Sequence, residues 1–244
     1  MAIEALNPAT IRQLEIVSES PFYIPMTGPA ARPRRALKHD DTFIVLDSHG
    51  DIGASAGGPD GLFNADTRYL ARLELVLDDV QPLLLGSNLR DDNSALTVDL
   101  TNPDVYRNER LILPKDMLHI LRTIFLWRGT AYQRIGLQNH GDQPASFDVT
   151  LLFDNDFADL FEVRGERRPR RGIGSSKVDG PADVTLGYYG LDGKSRTTSL
   201  HFDPQPSRLA PNAATYHFDL KPQQATSLFV SVSCNKPVQH RPIR

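Results

Sequence analysis

The chain has 244 residues, 40% of them hydrophobic and 23% charged, which suits a soluble globular protein with room for a sizeable core. Its 27 Lys and Arg against 30 Asp and Glu leave a formal net charge of -3, which argues against nucleic acid as the main partner, because phosphate binding calls for a basic surplus. One cysteine, Cys234, permits no intrachain disulfide, "MAIEALNPAT" is not a secretory leader, and no apolar run nears the roughly 20 residues that span a bilayer, so the expected address is the cytoplasm, with no membrane contact.

Residues 1–40 read as irregular, because Pro21, Pro25, Pro29 and Pro33 interrupt any regular element, and "ARPRRALKHD" reads as a solvated linker. The pattern changes at Phe43. "TFIVLDSHGDIG" is a short β run followed by a turn at Ser48–Gly50. In "RYLARLELVL", Tyr69, Ala71, Leu73, Leu75 and Leu77 share one face while Arg68, Arg72 and Glu74 share the other, the alternation of a half-buried strand. Asp78-Asp79 then turns the chain into "VQPLLLG", where Pro82 predicts an edge strand.

"SALTVDL" alternates again. "DMLHILRTIFLWRG" is apolar on both faces and rich in β-branched and aromatic residues, which favours a central strand over a helix. "AYQRIGLQN" follows a turn at 128–130, and "GDQP" turns the chain into "SFDVTLLF", with Phe147, Val149, Leu151 and Phe153 inward. "DVTLGYYG" and "SRTTSLHF" flank Leu191-Asp192-Gly193-Lys194, a hairpin signal because Asp-Gly tolerates positive φ. "AATYHFDL" and "TSLFVSVSC" alternate once more, the second placing Cys234 among Leu228, Val230 and Val232 as a small buried apolar residue. Ten or more strands joined by short turns predict an all-β fold, a large antiparallel two-sheet β-sandwich of supersandwich type over residues 41–244, with few short helices.

Against this background "DNDFADLFEVRGERRPRRG", residues 154–172, stands out. It leaves the end of a strand, where loops carry function. Asp156, Asp159 and Glu162 recur every three residues, and Phe157, Leu160 and Phe161 fall at i, i+3 and i+4. Both spacings fit one or two helical turns with an acidic and an apolar side. Two carboxylates at a set separation can hydrolyse a glycosidic bond. Equally, the acids can pair with Arg164, Arg167 and Arg168. The apolar residues must pack on this domain or on a partner, since burying each phenylalanine is worth roughly 1.5–3 kcal/mol. A second cluster, "GGPDGLFNADTRYL", offers Asp66 and Arg68 beside Phe63 and Tyr69, a set able to meet sugar hydroxyls or simply to cap a turn and pair locally.

A third segment, "LTNPDVYRNERLILPKD", reads as a connection between strands. The seven histidines show no metal-ligand spacing, no Gly-x-Ser-x-Gly elbow exists, and no glycine-rich loop sits in a strand-then-helix setting. Neither a metal nor another cofactor is expected. Trp127, at the end of an apolar strand, reads as buried rather than displayed, and Tyr188 and Tyr189, as strand neighbours, must face opposite ways.

"FIVLDSHGDI", "GLFNADTRYLARLEL" and above all "DFADLFEVRG" resemble the N-terminal domain of bacterial glycogen debranching enzyme-like proteins of the amylo-alpha-1,6-glucosidase type, and "LPKDMLHILR" and "YQRIGLQNHGDQPASFDVTLLFDN" extend the likeness. The resemblance implies a β-sandwich preceding a catalytic (α/α) barrel of the same polypeptide, with the hydrolytic acids in the barrel and none in this chain. It implies that Asp156, Phe157, Asp159, Phe161, Glu162, Arg164, Arg167 and Arg168, with Asp66 and Arg68, face the barrel or an α-glucan. A free module for α-glucans is the alternative it leaves open.

Overall fold

The structure is a computed structural model that describes residues 34–53 and 58–235. The N-terminal segment read as irregular lies almost entirely outside the described residues. The chain opens with strands β1 (Arg35–His39), β2 (Thr42–Leu46), β3 (Gly61–Asn64) and β4 (Thr67–Leu70), then β5 (Arg72–Leu77), β6 (Leu83–Leu89), β7 (Ala95–Thr101) and the small hairpin β8 (Val105–Arg107) and β9 (Arg110–Leu113). Three ten-residue strands follow: β10 (Leu118–Trp127), β11 (Thr130–Asn139) and β12 (Ala145–Asp154). A single turn of helix, α1 (Leu160–Val163), leads to β13 (Ile173–Val178), β14 (Asp183–Tyr189), β15 (Ser195–Asp203), β16 (Arg208–Ala210), β17 (Ala213–Leu220) and β18 (Ala225–Cys234).

All pairings between these strands are antiparallel. One layer is an eight-stranded sheet in the order β13-β14-β15-β18-β11-β10-β7-β6. The other layer is made of two four-stranded sheets, β1-β2-β3-β4 and β16-β17-β12-β5. The expected all-β sandwich is therefore the fold. Its core is the inward half of each alternating strand. Phe147, Val149, Leu151 and Phe153 of β12 are each 1% exposed or less, and Phe153 packs on Phe202 of β15 across the layers at 5.6 Å between ring centres. Leu228, Val230, Val232 and Cys234 are buried together, and burial pushes the Cys234 thiol up to about 12.

Two sequence expectations need correction. "ARPRRALKHD" is not a linker throughout, since Arg35–His39 pairs with β2 and buries Leu37. "RYLARLELVL" is two strands. The chain passes from one small sheet to the other at Ala71, whose amide donates to the Asp154 carbonyl (2.9 Å). All four residues of β4 are buried, Arg68 and Leu70 among them, so the expected alternation holds only from Arg72 onward. Pro82 does precede an edge strand, β6, and Gly193 takes φ +72° in the β14–β15 hairpin.

The core also holds an arginine. Arg122 lies in β10 on the same parity as Leu118, Ile120, Ile124 and Leu126, and is wholly buried. Its Nη1 donates to the His49 carbonyl and to Asp51 Oδ1, both at 2.6 Å, and its Nη2 to the Gly50 carbonyl at 2.8 Å. With the amide of Gln133 turned oxygen-inward, that oxygen accepts from Nη2 and Nε at 2.7 Å each. Asp51 accepts in turn from Leu75 N of β5 (3.1 Å), so the cluster fastens the large sheet to the opposite layer. Gly50 sits at φ +78°, and a Cβ there would meet Ile124 Cδ1 at 3.1 Å.

Candidate functional site

The segment after β12 folds onto its own domain before it presents anything outward. Asp156 accepts from Ala158 N (3.1 Å), closing a tight turn in which Phe157 takes φ +47°. That turn drives Phe157 inward, where it is 5% exposed. It meets Tyr69 edge-on at 5.4 Å and stacks on Tyr188 at 5.3 Å. The backbone then joins the free side of β4: Arg68 N donates to the Ala158 carbonyl (2.8 Å), and Leu160 N to the Asp66 carbonyl (3.1 Å). Asp66 itself is an exposed turn residue at φ +65°.

Helix α1 starts with a capping box. The Asp159 carboxylate accepts from Phe161 N (2.9 Å) and Glu162 N (3.0 Å), while Asp159 N donates to Glu162 Oε2 (3.2 Å). Gly165, at φ +107°, stops it after one turn. The chain re-enters the sheet at Gly172, whose amide donates to the Tyr188 hydroxyl (2.7 Å). A Cβ at Gly172 would fall 2.0 Å from the Tyr189 carbonyl oxygen, so only glycine fits there.

Three of the segment's carboxylates, Asp156, Asp159 and Glu162, are held by arginines, while Glu166 is exposed and makes no ion pair among the described residues. Asp156 holds Arg68 through two bonds, one of them Nε to Oδ1 at 3.1 Å. Arg68 is 8% exposed and also donates to the carbonyls of Gly58 (2.8 Å) and Asp60 (3.2 Å). Asp159 pairs with Arg168, and Glu162 lies 3.3 Å from Arg171 and 3.7 Å from Arg168. The pairing reading of the sequence is thus right in kind but not in every partner. Asp156 reaches a residue 88 positions away, while Arg164 and Arg167, like Arg170, are exposed and make no ion pair among the described residues. A glycosidase needs one carboxyl group protonated as acid and another free as base or nucleophile. Here Asp156, Asp159 and Glu162 are each fixed by an arginine, which suits anchoring more than proton transfer.

What remains outward is apolar and basic. Phe161 is 59% exposed, Ile173 75%, Tyr189 56% and Leu191 66%. Ile173 and Tyr189 are cross-strand partners, so they form one patch at the edge of the large sheet. Tyr188 and Tyr189 do face opposite ways, one onto Phe157 and one to solvent. Trp127 departs from expectation: it is half exposed, at 51%, because its strand parity places it on the face opposite the core. Reading that parity from Arg122 and Ile124 would have located it. No described helix is long and apolar enough to cross a membrane.

A family model for the N-terminal domain of some glycogen debranching enzymes matches residues 37–231. Among solved structures, the Slr1438 protein from Synechocystis sp. PCC 6803 superposes with a TM-score of 0.52 at 9% identity, over 85% of this chain and 97% of its own. That likeness is one of fold. A kojibiose phosphorylase from the human microbiome gives 0.48 at 12% identity over 78% of this chain, which spans only 26% of the phosphorylase. A galactose mutarotase-like protein from Lactobacillus casei gives 0.45 at 10% identity, over 83% of this chain and 100% of its own. Comparison with curated protein sequences finds no match.

Proposed function

The chain belongs to the family of N-terminal domains of glycogen debranching enzymes, and from that premise we propose that it is a non-catalytic domain of a cytoplasmic glycoside hydrolase of the amylo-alpha-1,6-glucosidase type, docked on a catalytic (α/α) barrel of the same polypeptide. The observation that carries this reading is the divided character of residues 154–172. Asp156 and Phe157 fasten the segment to its own sheets, Asp159 and Glu162 hold two of its arginines, and Phe161, Arg164, Arg167 and Arg170 stand exposed, as do Ile173 and Tyr189 of the sheet edge that follows. A segment that displays an apolar residue among mostly basic side chains has the make-up of a protein interface, with an apolar centre and a polar rim. The absence of an unengaged carboxylate pair in this segment favours an accessory role over a hydrolytic one.

The test uses the full-length polypeptide. Phe161→Asp, and separately Arg167→Glu, are expected to split a shared calorimetric transition into two and to change the rate of glucose release from a branched α-glucan. One undisturbed transition together with unchanged kinetics in both variants would refute the docking role.

A further inference from the structure

The eight-stranded sheet has an outer face as well as a core face. On it the alternating residues of β10, β11 and β18 line up by register: Leu121 beside Gly136 beside Ser227, with His119 beside Gln138 one row along. Because Gly136 has no side chain, the middle of that row sinks into a depression of about 260 Å³ lined by His119, Leu121, Arg134, Gly136, Gln138 and Ser227. The Arg134 guanidinium lies over the glycine, 3.5–3.7 Å from where a Cβ would stand, and donates to Ser227 Oγ at 2.8 Å. His119 Nε2 meets Asp99 Oδ1 at 3.0 Å. Farther along the same two strands Phe125 stacks on Tyr132 at 5.1 Å, with Phe125 41% exposed.

We infer that this depression binds one ring of a neutral oligosaccharide, with Phe125 and Tyr132 as a second contact for the same sugar chain. The chemistry separates a sugar from an anion. An anion asks for donors alone, and Asp99, held against His119 at the wall, opposes it. Sugar hydroxyls both donate and accept. The wall supplies a guanidinium that only donates, and an amide, a hydroxyl and an imidazole that do either. Leu121 gives the C–H face of a ring an apolar seat. The volume lies just under the roughly 300–1,000 Å³ of sites that enclose a whole small ligand, which fits a single unit of a longer chain. From Leu121 to Phe125 is four strand residues, about 13 Å at 3.3–3.4 Å each, so the aromatic pair is reached only by an oligomer. The choice of polymer, an α-glucan, rests on the family reading above; the location does not.

The test is calorimetric titration of the 244-residue chain with maltoheptaose. Gly136→Val raises the floor of the depression beneath the Arg134 guanidinium. Arg134→Ala removes an exposed donor that makes no ion pair among the described residues, so it keeps the test open should the first variant fold poorly. Each is expected to weaken binding about tenfold or more, a loss of about 1.4 kcal/mol, with the melting temperature unchanged. No heat from the unaltered chain, undiminished binding in both variants, or displacement of the sugar by inorganic phosphate would overturn the inference. Phe161→Asp is expected to leave maltoheptaose affinity as it was. If that variant loses the sugar while Gly136→Val keeps it, the site on the sheet is wrong and the docking segment is the sugar contact. If docking fails and sugar binding follows the sheet variants, the reverse holds.

Discussion

Replacing Arg122 with methionine tests the clamp between the layers. Methionine keeps much of the buried volume but removes every donor. The carbonyls of His49 and Gly50 lose their partner, and Asp51 keeps only Leu75 N at 3.1 Å and Gln81 Nε2 at 3.4 Å. Removing one member of a fully buried pair costs about 3–5 kcal/mol, because the other charge is left without compensation. For a domain of this size each kcal/mol moves the melting temperature by about 2–4 °C, so the expected drop is about 6–20 °C. The deficit must also depend on pH with a definite sign. Burial pushes the Asp51 carboxyl up, and the guanidinium is the main force pulling it back. Without Arg122 the folded-state value rises further above the unfolded one. Such a group lends stability below its unfolded pKa and loses it as pH rises through the folded pKa. Thermal melts of both proteins at about pH 5 and pH 7 should therefore show the deficit growing toward neutrality, and adding Asp51→Asn to the variant should flatten it. A deficit under about 1 kcal/mol, or one that shrinks between those pH values, would refute the reasoning.

Two further outcomes follow from the docking segment and from the β14–β15 hairpin. Phe157→Ala empties a site shared with Tyr69 and Tyr188 and is expected to cost about 3–5 kcal/mol, while loosening the backbone around the already exposed arginines at 164–171 so that trypsin cuts there faster under native conditions; resistance to cleavage equal to that of the parent would count against the anchor. The Asp192 carboxyl is held down at about 2, chiefly by Arg196 and then by the Lys194 amide. A lowered acid lends stability above its unfolded pKa and loses it as pH falls through the folded value. The stability difference between the parent and Asp192→Asn should thus be constant near neutrality and vanish toward pH 2 in denaturant titrations, and a difference that persists there would contradict the assignment.

The sandwich was legible because its strands are half-buried and alternate cleanly, as β12 and β18 do, and because Asp-Gly, Gly-Asp-Gln-Pro and Pro82 mark turns and an edge by backbone chemistry alone. What stayed hidden depends on distant partners. Arg68 and Asp156 are 88 positions apart, and nothing local in "NADTRYL" says that its arginine is buried. Arg122 left a trace, a charge on the apolar parity of a central strand, which the reading of "DMLHILRTIFLWRG" as apolar on both faces passed over. The same parity sorts Leu121, Phe125 and Trp127 to the outer face, so the surface of the large sheet was written in that stretch once one inward residue was known. The depression at Gly136 had no signature of its own. It exists because two registers set Gly136 between Leu121 and Ser227, the latter from a strand far off in sequence.

If the segment docks as proposed, the pairing of its acids decides what kind of partner fits it. Asp156, Asp159 and Glu162 are neutralised by Arg68, Arg168 and Arg171, so the charges left in the segment are mainly Arg164, Arg167 and Arg170, with Glu166 among them. A surface that complements them must bring carboxylates to the rim and an apolar recess to the centre. The charges steer and orient, an effect that salt screens over about 8–10 Å, whereas Phe161, Ile173 and Tyr189 supply burial that salt leaves intact. On a separate partner a patch of this size would hold weakly. Within one polypeptide, as proposed, a linked domain would be present at an effective concentration in the millimolar range, which would make a modest apolar contact with oriented arginines sufficient.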